Sequence, residues 1–176
     1  MIDLQVGDVF CIRGKGAIAA TIRAAEWLLS KDNEAVYGHA GVITSTDGDT
    51  LEALLTVRND NLKRCIGQQV LIARPTHTRR MQKAISPASK EVAIKLVSNR
   101  HLGRLYPVWR LPLHFIPWVA KLGATGEWLV CSELVAYYLS LMEAIGPTYS
   151  VINPDDLADI YRCWRNFDLK FEGVLE

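Results

Sequence analysis

Apolar positions along the chain recur in two rhythms. Residues 8–12, 39–45, 50–56, 61–66 and 69–73 form short apolar or alternating runs set off by turn residues, the pattern of strands. Ile18, Ile22, Ala25 and Leu29 recur at helical spacing and predict a helix over 17–29. Thr46-Asp47-Gly48-Asp49 reads as a tight hairpin, because Asp-Gly supplies the positive φ angles such turns require. Pro75 ends the strand group. Residues 76–100 are helical in pattern but broken at Ser86-Pro87, where Ser suits the cap and Pro the first turn of a second helix. Residues 101–126, with Pro107, Pro112 and Pro117 among many aromatics, predict a loop-rich crossing that lines a pocket. A further helix runs from about 130 to 145, stopped by Gly146-Pro147. Asn153-Pro154-Asp155-Asp156 opens a short helix with cap, proline and acidic residues in favoured places. Residues 167–174 alternate as a last strand. Helices do not interleave with the strands, so the pattern predicts an α+β fold: an antiparallel sheet or small barrel packed against helices. No repeat or low-complexity tract divides the chain, which reads as one domain over 1–176.

Composition narrows the classes of function. Hydrophobic residues make up 49% and charged residues 22%, a globular balance that excludes a disordered chain. A formal net charge of +1 provides no field to draw nucleic acid or a membrane surface. The basic clusters, Arg79-Arg80 and Arg100, Arg104 and Arg110, read as solvated helix faces. Met1-Ile2-Asp3-Leu4-Gln5-Val6-Gly7-Asp8 lacks the basic start and apolar centre of a signal peptide. No run approaches the ~18 apolar residues of a membrane span. The expectation is a soluble protein made in the cytoplasm, any delivery outside being by lysis or a signal-independent route.

Candidate chemistry rests on a few side chains. Cysteines stand at 11, 65, 131 and 163 without a Cys-x-x-Cys pair, which argues against a zinc ribbon or dithiol redox motif. The four histidines form no His-x-x-x-His pair, so neither metal nor cofactor is expected. Cys11, Cys65 and Cys163 read as small buried hydrophobes, the first two in strands. Cys131 differs, because an apolar run turns helical at that residue. A thiol in the first turn of a helix feels the positive end of the dipole, which favours the nucleophilic thiolate. His39, in Gly38-His39-Ala40-Gly41, and Glu52, in Leu51-Glu52-Ala53, lie in apolar segments that read as neighbouring strands. Thiol, imidazole and carboxylate together are the groups of a cysteine hydrolase. His77, His101 and His114 fall in loop or helix-surface contexts and read as structural. Glu133 reads as a first-turn carboxylate that complements the helix dipole. Trp109, Trp118 and Trp128 read as core. A two-residue turn at Asp47-Gly48 pairs Glu52 with a position near Ile43 and His39 with one near Thr56. The two meet only if the loop is longer or bulged.

In order, Gly7-Asp8-Val9, His39-Ala40-Gly41-Val42, Glu52, Gly103-x-x-Tyr106 and Cys131-Ser132-Glu133-Leu134-Val135 resemble the circularly permuted NlpC-type papain-like enzymes, the YiiX-like group. The resemblance covers residues 6–156. It implies a permuted papain-like fold in which the histidine precedes the cysteine. It also implies Cys131 as nucleophile, His39 as general base, Glu52 as the group orienting the imidazole and Tyr106 near the oxyanion position. The acidic residue that often follows this tyrosine is replaced by Pro107. The implied activity is a peptidase or amidase acting through a thioester acyl-enzyme, its substrate an amide in cell-wall peptides. Acyl transfer or lipid-ester hydrolysis on the same fold, and a binding module without turnover, are the alternatives.

Overall fold

Residues 2–14, 20, 36–54, 56–105, 130–147 and 152–176 are described by the structure, a computed structural model. Within them six strands form one antiparallel sheet: β1 (Val9–Ile12), β2 (His39–Ile43), β3 (Asp49–Ala53), β4 (Val57–Asn61), β5 (Gln69–Pro75) and β6 (Phe167–Val174). Their order across the sheet is β4-β3-β2-β1-β5-β6. Three helices accompany them, α1 (Pro87–His101), α2 (Cys131–Leu141) and α3 (Pro154–Cys163). The central strand β1 explains the packing. Val9 and Cys11 join the larger core, to which all three helices contribute through residues such as Val97, Leu134, Tyr138 and Leu157. Phe10 and Ile12 face the other way, into a smaller cluster with Ile43, Leu62, Cys65, Val70 and Ile72. A strand covered on both faces has no polar side to show, hence the unbroken Val-Phe-Cys-Ile. Helices therefore gather against one face of an antiparallel α+β sheet, as the pattern predicts.

Several boundaries differ from expectation, each for a local reason. The strand expected at 61–66 lies instead at Val57–Asn61, followed by a single 3₁₀ turn, Leu62–Cys65. The Asn61 side chain accepts the Lys63 N–H and bends the chain out of the sheet. Cys65 is thus a turn residue, though a buried one. Helix α1 begins only at Pro87, with Ser86 as its cap. Upstream, the Lys83 carbonyl accepts the Thr78 N–H at 2.8 Å and the Thr78 hydroxyl accepts the Lys83 N–H at 3.1 Å, a local loop that replaces helical bonding. Helix α2 stops at Leu141, where Glu143 takes a φ of 57° and Ala144 donates back to the Leu139 carbonyl at 2.9 Å. His101 is buried, not at a helix surface, and Cys163 is exposed rather than packed. The helix expected at 17–29 lies outside the described residues, as do His114, Trp109, Trp118 and Trp128.

Asp8 ties the sheet together. It has no exposed surface and accepts the Arg74 Nε–H and Nη2–H at 2.8 and 3.0 Å, with the Gln5 N–H at 2.9 Å. The pair locks the start of β1 to the end of β5. Removing one partner strands a buried charge, so Asp8→Ala is expected to cost about 3–5 kcal/mol. A urea midpoint equal to that of the unmodified protein would refute this.

Candidate active site

The site begins at the N-terminus of α2. Val130 is extended (φ −78°, ψ 167°) and Cys131 is the first helical residue. The turn is fixed from both sides: Glu133 Oε2 accepts the Val130 N–H at 3.2 Å, and Ser132 Oγ donates to the Ile152 carbonyl at 2.6 Å. Glu133 is therefore a capping carboxylate, which satisfies a helix-end donor and complements the dipole. The Cys131 thiol is buried and receives the backbone N–H groups of Ala40 and Ser132 along with a hydrogen bond to the His39 ring.

His39 opens β2, and Glu52 lies on β3. Their register corrects the two-residue turn. Ile43 pairs with Thr50 and Gly41 with Glu52, so Glu52 stands opposite Gly41 and not Ile43. The loop is longer because Ser45 closes it: Ser45 Oγ accepts the Asp49 N–H at 3.1 Å and donates to Asp49 Oδ2 at 2.9 Å. The Thr44 N–H then meets the Asp49 carbonyl at 2.7 Å. His39 and Glu52 become diagonal neighbours on one face, within reach of each other. His39 Nε2 lies 2.6 Å from Glu52 Oε2. Nε2 being so engaged, Nδ1 is the ring nitrogen left for the sulfur.

Gly41 makes the diagonal possible. A Cβ at that position would meet the Phe10 ring at 2.6 Å and Glu52 Cγ at 2.8 Å. The absent side chain is the space through which the Glu52 carboxylate crosses to His39.

Electrostatics couple the three groups. Burial alone would lower the His39 pKa, but the charge and hydrogen bond of Cys131, together with Glu52, push it up to about 9. Burial would raise the Cys131 thiol, yet the His39 charge, its hydrogen bond and the two backbone N–H groups hold it below the ordinary thiol value. Glu52 follows the same logic: burial raises its pKa, and His39, Thr50 and Arg64 together bring it below the usual carboxylate range. The arrangement favours a thiolate–imidazolium pair backed by a carboxylate.

The structure thus brings Cys131, His39 and Glu52 together, whereas Tyr106 lies outside the described residues. Sequence reasoning missed two partners of Glu52. Thr50 Oγ1 donates to Oε1 at 2.5 Å, and the Arg64 Nη2–H donates to Oε2. Thr50 was detectable, since residues two apart in a strand share a face. Arg64 was not, because it arrives from the 3₁₀ turn after β4. The His77 ring meets the neighbouring Thr76 hydroxyl at 3.0 Å, and the His101 pKa is held near 4 by burial and by Arg100 and Arg104. Among the described residues no group of three or more His, Cys, Asp or Glu side chains is placed to hold a metal ion, and no helix is long and apolar enough to cross a membrane.

No protein-family profile and no curated protein sequence matches the chain. Among solved structures it is similar to one described as metalloprotein yiiX from Escherichia coli O157:H7, with a TM-score of 0.62 and 15% sequence identity. The match covers 97% of this chain and 98% of that one. At that identity the likeness defines the fold: an α+β, YiiX-like arrangement.

Gly41→Ala drives a methyl group into a fully buried ring and a carboxylate held by three donors, neither of which can yield. The expected loss is about 1–3 kcal/mol, seen as a lower melting temperature. An unchanged melting temperature would show that the crossing is not crowded.

Proposed function

We propose that the chain is a single catalytic domain, residues 1–176, of the circularly permuted, NlpC-type papain-like kind: a cysteine hydrolase that cleaves an amide through a thioester acyl-enzyme. The observation that carries this reading is the hydrogen-bonded series Cys131–His39–Glu52, with the thiol at a helix start. The order of the motifs, histidine and glutamate before cysteine, supports the permuted arrangement.

In this mechanism the Cys131 thiolate attacks the scissile carbonyl carbon. Charge develops on the carbonyl oxygen and is met by the Cys131 N–H, one of the helix-start donors without an intrahelical partner; the resemblance assigns a second donor, the hydroxyl of Tyr106. The His39 imidazolium gives its proton to the departing amine, leaving a thioester and a neutral ring. Neutral His39 then takes a proton from water as its oxygen attacks the thioester. The tetrahedral species collapses, releases the acid and restores the thiolate, with the proton back on His39. Glu52 stays ionised throughout, holding the ring by Nε2 so that Nδ1 addresses the sulfur. The substrate assigned by resemblance is a peptide amide in peptidoglycan, which fits a cell-wall peptidase, a phage enzyme or an antibacterial effector.

Incubation with purified peptidoglycan, followed by mass analysis of released fragments, tests the reading. Cys131→Ala is expected to fold and to release nothing. Fragments at the unmodified rate from that variant would sink the assignment.

The pH dependence follows from the directions above. His39 keeps its proton up to about 9, and the thiol loses its own below the ordinary thiol value. Between those limits both the nucleophile and the acid are in their working forms. The rate is expected to rise as the thiolate forms and to fall near pH 9 as the imidazolium deprotonates. Glu52→Gln removes a charge that favours the imidazolium, so the alkaline fall should move to lower pH. A kcat/KM profile whose alkaline limb stays in place would show that Glu52 does not act on His39.

A further inference from the structure

Beyond the three side chains of the proposed mechanism, charges continue outward. Arg64 Nη2 donates to the same Glu52 oxygen, Oε2, that His39 Nε2 faces. Its Nε–H meets Asp60 Oδ2 at 3.1 Å, and that oxygen also accepts from Arg58 Nη2 at 2.8 Å. The register explains the convergence. Glu52 pairs with Arg58 and Thr50 with Asp60, so all four share one face of the β3–β4 pair. Arg64 returns over that face from the 3₁₀ turn Leu62–Cys65. The result is a series of alternating charge from the solvent-facing Arg58, through Asp60, Arg64, Glu52 and His39, to the Cys131 sulfur. The series runs from solvent to interior: the Arg58 side chain is 51% exposed, those of Asp60 and Arg64 are partly exposed at 22% and 30%, and that of Glu52 is 0% exposed. Among the described residues, the charged groups of this series come from α2 (Cys131), β2 (His39), β3 (Glu52), β4 (Asp60 and Arg58) and the 3₁₀ turn (Arg64).

We propose that Arg64 is a positioning residue of this site: held by Asp60, its guanidinium shares Glu52 Oε2 with the His39 ring and so sets how tightly the ring holds its proton. Two donors on one carboxylate oxygen compete for the same electron density. The positive guanidinium beside Glu52 weakens the pull of that carboxylate on the imidazolium. An imidazolium that is held less tightly gives its proton more readily to a leaving amine. Asp60 sets the strength of the effect, because it draws part of the guanidinium charge away from Glu52. The planar fork is needed, since one side chain must address two carboxylates at once. The inference rests on the reading of Cys131, His39 and Glu52 as a catalytic set, and the site geometry supplies its own readout.

The experiment follows the His39 ring through its NMR titration, and the Cys131 thiolate through its ultraviolet absorbance, in the full chain. Arg64→Gln keeps an N–H donor and removes the charge, so His39 is expected to titrate roughly one pH unit higher. Asp60→Asn leaves Arg64 without its counter-charge and is expected to shift the same titration downward. Arg64→Lys restores charge without the fork and should fall between Arg64→Gln and the unmodified protein. In peptidoglycan hydrolysis the alkaline limb of kcat/KM should move with the titration while KM stays level, a split that a merely structural role would not produce. Folded Arg64→Gln and Asp60→Asn proteins whose His39 titrates as in the unmodified chain, or shifts in the same direction, would overturn the proposal. A protein that releases no peptidoglycan fragments, yet shows the opposed shifts, would overturn the hydrolase reading and leave the action of Arg64 on His39 established.

Discussion

Glu52, a carboxylate with no exposed surface, stands on β3 on the sheet face turned away from the helices, and the geometry around it is conditioned by the need to satisfy it. Left unpaired, an ionised carboxylate in the interior would cost several kcal/mol or take up a proton instead. Glu52 avoids both outcomes because Thr50, His39 and Arg64 each direct a donor at it. Those donors come from three different pieces of chain, so their convergence constrains the fold. The β2–β3 register must set Gly41 opposite Glu52, the loop must close at Ser45, and Arg64 must return over the sheet. A slip of one residue between β2 and β3 would swing Glu52 among the helix-facing positions now held by Leu51 and Ala53, where none of its donors reaches.

Cys131 and His39 are also held in place by a segment that contributes no side chain to the Cys131–His39–Glu52 series. The Ile152 carbonyl accepts the Ser132 hydroxyl and so holds the first turn of α2. Three residues on, Asp155 accepts the N–H groups of Val36 and Tyr37 at 3.0 and 3.1 Å, which fixes the chain entering β2 just before His39. Between them the Pro154 carbonyl accepts the Cys11 thiol at 3.4 Å. The start of α3 therefore holds the helix carrying Cys131, the strand carrying His39 and the central strand β1 in one relation. The acidic first turn that reads as a capping device has a second, longer-range use. Asp156 caps its own helix by accepting the Asn153 N–H at 3.2 Å, while Asp155 serves the backbone that leads into β2.

The division between what the sequence reveals and what it conceals follows from the range of each interaction. Ser86 before Pro87, Asn153 before Pro154 and the alternation of 167–174 are local signals, and all three elements stand where they predict. Cys131 at a helix start is likewise local. The register between His39 and Glu52 is not, because Ser45 closing on Asp49 outcompetes the Asp47-Gly48 signal on which a tighter hairpin depends. The segment before α1 fails for a related reason: the Thr78 hydroxyl and backbone capture Lys83 locally, and periodicity is blind to such bonds. Arg64 is hidden altogether, since its partner lies on another strand and its approach depends on a 3₁₀ turn read as strand. Its sequence neighbourhood, Lys63-Arg64-Cys65, resembles any solvated basic pair.

Asp8 with Arg74 and the Cys131–His39–Glu52 series are both buried and ionic, and the contrast between them bears on what each is for. Asp8 and Arg74 are joined by two N–H donors and set between strand ends; their effect is to lock β1 against β5. A buried pair of that kind is weak evidence of added stability over an apolar pairing, but breaking it is destabilising, so it specifies one arrangement. The second group is built differently. Cys131 and His39 each favour the charged form chiefly through the other, with Glu52 and two backbone N–H groups assisting, and one proton passing between them returns both to neutral forms. Arg64 and Glu52 keep their charges through that exchange, so the surrounding field stays fixed while the inner pair changes state. A structural lock gains nothing from such convertibility. Under the proposed reading it is what acyl transfer requires, because the proton must leave with the amine in one half of the reaction and be regained from water in the other.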